Sequence, residues 1–125
     1  APAGPWTRQY AAGLEILRKA VSERRKVSFQ YTRADGTTST RTIRPLGLYF
    51  WGAKWSLAAW CELREGYRSF RPDRMNEPEV LSERFETTDT ISLSGFLEWH
   101  LKEENSDELP FVESLAHATE AARVS

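Results

Sequence analysis

The apolar residues of this chain change their period once, near residue 25, and that change limits the fold more than any other feature. Before it, Trp6, Tyr10, Leu14, Leu17 and Val21 recur at spacings of four, four, three and four. That spacing lays them on one face of an α-helix, with Arg8, Glu15, Arg18, Lys19 and Glu23 on the other side. Gly13 costs such a helix about 1 kcal/mol relative to Ala. The stripe is expected to pack on the chain's own sheet, and a partner helix is the rival reading. After residue 25, Val27, Phe29 and Tyr31 alternate with Ser28, Gln30 and Thr32. Period two is the mark of a strand with one buried face.

The turn signals that follow divide the chain into short strands. Asp35-Gly36 is a hairpin turn, because both residues tolerate positive φ. Residues 37–44 are rich in β-branched side chains and read as the return strand, which Pro45 is expected to end. Residues 46–51 form a third strand, Gly52-Ala53 a turn, and residues 54–61 a fourth strand. That strand sets Trp55, Leu57 and Ala59 against Ser56, Ala58 and Trp60. Residues 67–71 make a fifth, and Glu79-Val80-Leu81 an added edge. Short strands at this spacing predict a small barrel.

Leu93, Phe96, Leu97 and Leu101 then give a short helical stripe. Residues 105–108 read as a helix start, and Val112, Leu115, Ala116 and Thr119 as a last helix. The fold expected is mainly β (α+β): a five-stranded barrel after an amphipathic helix, followed by short C-terminal helices. The expected divisions are a linker over 1–5, helix and barrel over 6–81, an exit segment over 82–105 and an acidic helical tail over 106–125.

Composition narrows the function. The chain has 125 residues and one cysteine, Cys61. One thiol forms neither an internal disulfide nor a cysteine-rich metal site, and a reducing, cytoplasmic setting is expected. No apolar run reaches the roughly 18 residues of a membrane span. The chain begins at Ala1 and has its sole methionine at Met75, so it is read as a cut fragment or processed product.

The net charge is −1, yet residues 1–74 carry 14 Lys and Arg against 6 Asp and Glu, and residues 75–125 carry 3 against 12. A basic front half fits a polyanionic ligand, and mutual neutralisation of the two halves fits equally well. Gly47, Gly52 and Lys54 miss the phosphate-loop pattern, because Ala53 stands where its lysine belongs. His100 and Glu104 share a helix face, which is read as solvated, and one such pair is too few ligands for zinc. Cys61 reads as inert packing. No metal, cofactor or catalytic residue is expected, and the chain is read as no enzyme.

The segment 64–74 is the most informative. Arg64, Arg68, Arg71 and Arg74 stand among Tyr67, Phe70, Glu65 and Asp73. Guanidinium groups grip phosphates, and aromatic rings stack on bases. Strand geometry turns Arg71 and Arg68 to opposite faces, so one groove holds all four only if the chain bends at Pro72. An internal Arg–Asp pair on a surface strand is the alternative.

Four stretches occur in order: Val27-Ser28-Phe29-Gln30-Tyr31, Arg44-Pro45-Leu46-Gly47-Leu48, Trp55-Ser56-Leu57-Ala58-Ala59-Trp60-Cys61, and Arg68-Ser69-Phe70-Arg71-Pro72-Asp73-Arg74-Met75. Together they resemble the WYL domain over about residues 10 to 101. The resemblance implies an Sm-like β-barrel that senses a ligand in a bacterial transcriptional regulator. Such a domain binds an anion such as single-stranded DNA or a nucleotide. Duplex DNA is contacted only through a helix-turn-helix domain that these residues lack, and the full-length proteins are commonly homodimers.

By the same resemblance the ligand site comprises Arg44, Ser56, Arg68, Arg71 and Arg74. Ser56 stands where the family has its tyrosine, which removes an aromatic plane worth about 1–3 kcal/mol per stacked base. Trp60, on the same strand face, could supply a replacement ring, although a core role is its commoner use. The alternative function is a protein-interaction or dimerisation module whose arginines pair with acids, those of the tail included.

Overall fold

The computed structural model describes residues 8–113. Helix α1 spans Arg8–Glu23 and buries Leu14, Leu17 and Ala20, with Tyr10 and Val21 packed beside them. The expected stripe therefore does face the chain's own sheet. Trp6 lies outside the described residues. Arg24, with φ of 54°, ends the helix in the left-handed region.

Five strands follow: β1 Arg25–Thr32, β2 Thr38–Trp51, β3 Lys54–Cys61, β4 Gly66–Phe70 and β5 Met75–Arg84. They form an antiparallel sheet in the order β4-β3-β2-β1-β5. Three-residue and two-residue turns close the first two hairpins. In the first, Gly36 donates its N–H to the Arg33 carbonyl and takes φ of 90°, while Asp35 accepts from the Thr37 N–H and hydroxyl. Only Gly36 of the Asp35-Gly36 pair uses positive φ. In the second, Gly52 and Ala53 both do, at 61° and 62°, the geometry of a two-residue hairpin.

Two expectations about strand limits are corrected. Pro45 does not end a strand: β2 runs through it for 14 residues. Pro45 faces Ala59 and Gly47 faces Ala58, so Leu46 is an extra residue in a bulge. A bulge tolerates the missing proline donor and bends the strand. Past residue 81 the chain is still in β5, a ten-residue strand paired with β1 and not a three-residue edge.

β4 and β5 are consecutive in the chain yet stand at the two ends of the sheet. A flat five-stranded sheet would put them about 19 Å apart. Phe70 and Met75 are joined through a 3-10 turn, Pro72–Arg74, which rises only about 2 Å per residue. The sheet must therefore curl. The Phe70 ring meets Phe29 at 5.2 Å and Tyr31 at 5.1 Å, both edge-on, across the concave face. No ladder joins β4 to β5 among the described residues.

Helix α2, Leu93–Glu104, covers the convex face. Ser92 caps it by accepting from the Gly95 N–H, and Asn105 stops it in the left-handed region. Residues 105–108 thus begin no helix. Phe96 and His100 are the buried positions of α2, packed near Tyr49, Trp51 and Tyr67. His100, expected on a solvated face, is 3% exposed because three aromatic rings enclose it. Phe111–Val112 forms a short strand β6 on β2, opposite Phe50 and Tyr49, so Val112 is not helical. The rest of the expected last helix lies outside the described residues.

Gly95 is where Tyr67 crosses α2, its hydroxyl donating to the Thr90 carbonyl and accepting from the Ser92 N–H. A Cβ at position 95 would overlap the Tyr67 hydroxyl. Gly95→Ala is expected to lower unfolding stability by about 1–3 kcal/mol, measured by urea denaturation, despite the better helix propensity of Ala.

Candidate functional site

Ladder register decides which arginines can meet. Leu57 faces Phe70 and Ala59 faces Arg68, so Arg68 and Phe70 point into the concave face. On β2, Arg41 faces Phe29 and Ile43 faces Val27, so Arg41 points there too. Arg41 is 3% exposed. Its Nε donates to the Ser39 hydroxyl at 3.0 Å and its Nη1 to the Cys61 sulfur at 3.6 Å.

In an antiparallel meander the turns after β1 and β3 lie at one end, and these turns carry Arg33 and Arg64. Burial pulls the Arg68 guanidinium below its ordinary range, and the like charges of Arg64, Arg41 and Arg33 pull the same way. None of these four arginines has a carboxylate in an ion pair among the described residues. Asp35, beside Arg33, is turned onto Thr37. Among the described residues the buried Arg41 guanidinium is held by a hydroxyl and a sulfur alone, which compensates it poorly, and an anion would supply what is lacking.

The other expected site residues lie elsewhere. Arg71 makes a two-point bridge to Asp73, at 2.9 and 2.7 Å. That bridge holds its guanidinium above the ordinary range, with lesser help from Tyr31 and Tyr10. Arg71 instead borders a cavity of about 100 Å³ with Tyr10, Phe50, Trp55 and Lys54. Arg74 closes the 3-10 turn. Arg44 donates to Glu62 at 2.8 Å.

Ser56 faces Tyr49 on the convex face, beneath α2. Burial pushes the Tyr49 phenol up, and hydrogen bonds from Ser69 and Ser56 bring it partly back. Trp60 is half-buried on that face, edge-on to Tyr67 at 5.1 Å. The structure thus turns Arg68 and Arg41 to one face, with Arg64 and Arg33 on the turns at one end, while Arg44 and Ser56 lie on the other face and Arg71 is bridged to Asp73. Arg41 and Arg33 were missed in the sequence. A signal did exist: strict alternation puts Arg41 in step with Ile43, a charge on a core face.

Residues 12–80 match the WYL domain family. The uncharacterized HTH-type transcriptional regulator YobV of Bacillus subtilis (strain 168) is 32% identical over 71 residues, 57% of this chain and 23% of that protein. Proteasome accessory factor B/C (PafBC) of Arthrobacter aurescens has a similar fold, with a TM-score of 0.59 and 22% identity over 69% of this chain and 14% of that one. The chain thus spans less than a quarter of either relative.

Glu62 ties the sheet together near Arg44. It also accepts from Lys26 at 2.7 Å, and Lys26 in turn reaches Glu83 at 2.8 Å. Burial alone would raise the Glu62 carboxyl, but Lys26 and Arg44 hold it below its ordinary range. A carboxyl lowered in the fold stabilises above its unfolded pKa and stops doing so as the pH falls through its folded value. Urea midpoints of wild type and Glu62→Gln should differ at neutral pH, with the wild type more stable. The gap should close on acidification below the ordinary carboxylate range.

Proposed function

This chain belongs to the WYL domain family, and we propose that it is the ligand-sensing regulatory domain of a DNA-binding transcriptional regulator, non-enzymatic and cytoplasmic. The likeness to a helix-turn-helix regulator supports the first part. In this reading duplex DNA is bound by a separate helix-turn-helix domain and the full-length protein is a homodimer. The ligand is an anion, with single-stranded nucleic acid or a nucleotide as the class.

The observation that carries the ligand reading is Arg41, buried beside Arg68 with no carboxylate partner among the described residues. Ligand capture would matter to regulation only through unequal affinity for two states of the whole protein. The interaction-module reading has one observation in its favour: Arg44 and Arg71 are already paired with acids of the same chain. Glu113, the last described acid of that tail, reaches Arg18 on α1 and not the arginine run.

Fluorescence anisotropy with a labelled ten-nucleotide single strand tests the proposal. Affinity should fall with salt, at a log–log slope near −0.7 for each phosphate engaged. Arg68→Ala should weaken binding about tenfold or more, the value of one charge-assisted contact. Arg44→Ala and Arg71→Ala should change it less, since both side chains are held by neighbours. Unaltered binding in Arg68→Ala would move the ligand away from the concave face.

A further inference from the structure

We infer that the exposed rings of Phe50, Trp55 and Phe111 stack on the bases of a single-stranded nucleic acid, with Lys54 and Arg71 on the adjoining phosphates. The inference rests on the anion-sensing reading above and adds to it a subsite for bases.

Ladder register builds the ring surface. Phe50 on β2 faces Trp55 on β3 and Phe111 on β6, so three adjacent strands set these rings on one face. Phe50 meets Trp55 at 5.3 Å and Trp55 meets Phe111 at 6.3 Å, both edge-on. An edge-on contact covers at most one face of one ring, so π-faces are left for a ligand. Trp55 is anchored against the main core, while Phe50 is 39% and Phe111 64% exposed. A stacked base would take that apolar surface out of water.

Space and charge narrow what the rings can take. Beside them lies the cavity of about 100 Å³ that Tyr10, Phe50, Lys54, Trp55, Arg71 and Asp73 line. A pocket that encloses a small molecule holds about 300–1,000 Å³. The ligand therefore lies over the rings with only an edge in the cavity, as a strand laid across a sheet does. Two cations stand there against one acid, Asp73, so the lining repels the ammonium groups that aromatic cages otherwise select. Lys54 is exposed and has no ion pair among the described residues. Arg71 bridges Asp73 through Nε and Nη2, which leaves Nη1 outside the bridge. Open rings beside cations are the combination that holds single strands, the rings taking any base and the cations the backbone.

The test removes the bases and keeps the phosphates. A dye-labelled ten-nucleotide oligothymidylate and an abasic strand of the same length and charge are each titrated with the 125-residue chain at several salt concentrations. The oligothymidylate should bind about tenfold or more tightly than the abasic strand. Phe111→Ala and Phe50→Ala, both at exposed rings, should each weaken the oligothymidylate about fivefold or more. Neither should change the abasic affinity or the salt slope. Lys54→Gln should flatten the log–log slope by about 0.7 for both strands. Equal affinity of the two strands overturns the base subsite and leaves anion sensing standing. Binding of neither overturns both. Sedimentation of each variant supplies the last arm. A wild-type dimer that Phe111→Ala separates, at unchanged strand affinity, makes the rings a contact between copies and overturns the proposal.

Discussion

Everything in this fold depends on the curl of one sheet. β4 and β5 lie at opposite ends of the strand order, yet only a short turn separates them in the chain. The contact that holds the curl is the edge-on cluster of Phe29, Tyr31 and Phe70, which joins β1 to β4 across the concave face. Aromatic pairs in this geometry contribute about 0.5–1.5 kcal/mol beyond the area they bury. The Tyr31 hydroxyl adds a hydrogen bond from the Arg71 N–H, which fixes where the chain leaves β4. The bulge at Leu46 completes the bend, so that one strand, β2, serves β1 with its first half and β6 with its second.

The curl also divides the arginines. A strand sends alternate side chains to opposite faces, and a curled sheet makes one face a hollow and the other a wall. Arg41 and Arg68 enter the hollow above the rings. Arg44 turns outward to Glu62, and Arg71 leaves the sheet to bridge Asp73. Pairing decides which of them are spare. Arg44 and Arg71 are bridged by carboxylates, while Arg41 is held by a hydroxyl and a sulfur among the described residues. The concave face holds the main core, into which α1 packs, and the convex face is covered by α2, whose Phe96 and His100 lock onto Tyr49 and Trp51. Ser56 lies beneath that cover and serves Tyr49.

Much of the fold was legible because period and turn chemistry are local. The α1 stripe, the β1 alternation, Gly52-Ala53 and the α2 stripe each follow from neighbours a few residues apart. Pro45 misled because its missing donor ends a strand only in a regular ladder, and a bulge lies outside local pattern. Asn105 misled because the same residue that opens helices can also close one when it adopts positive φ. His100 was read as solvated because nothing near it in sequence announces Trp51 or Tyr49.

The candidate site was legible only in kind. The ordered stretches from Val27 to Met75 pointed to the WYL domain family, which the match over residues 12–80 bears out. These are matters of composition and order, which the sequence determines by itself, as it determines the helix-then-strands plan. Which arginines share a face was decided by tertiary structure alone. Arg41 and Arg68 are 27 positions apart in the chain, and the ladder register turns both to the concave face. The partners that neutralise Arg44 and Arg71 are likewise set by ladder register and turn geometry, because a carboxylate's effect depends on distance in space and not in sequence.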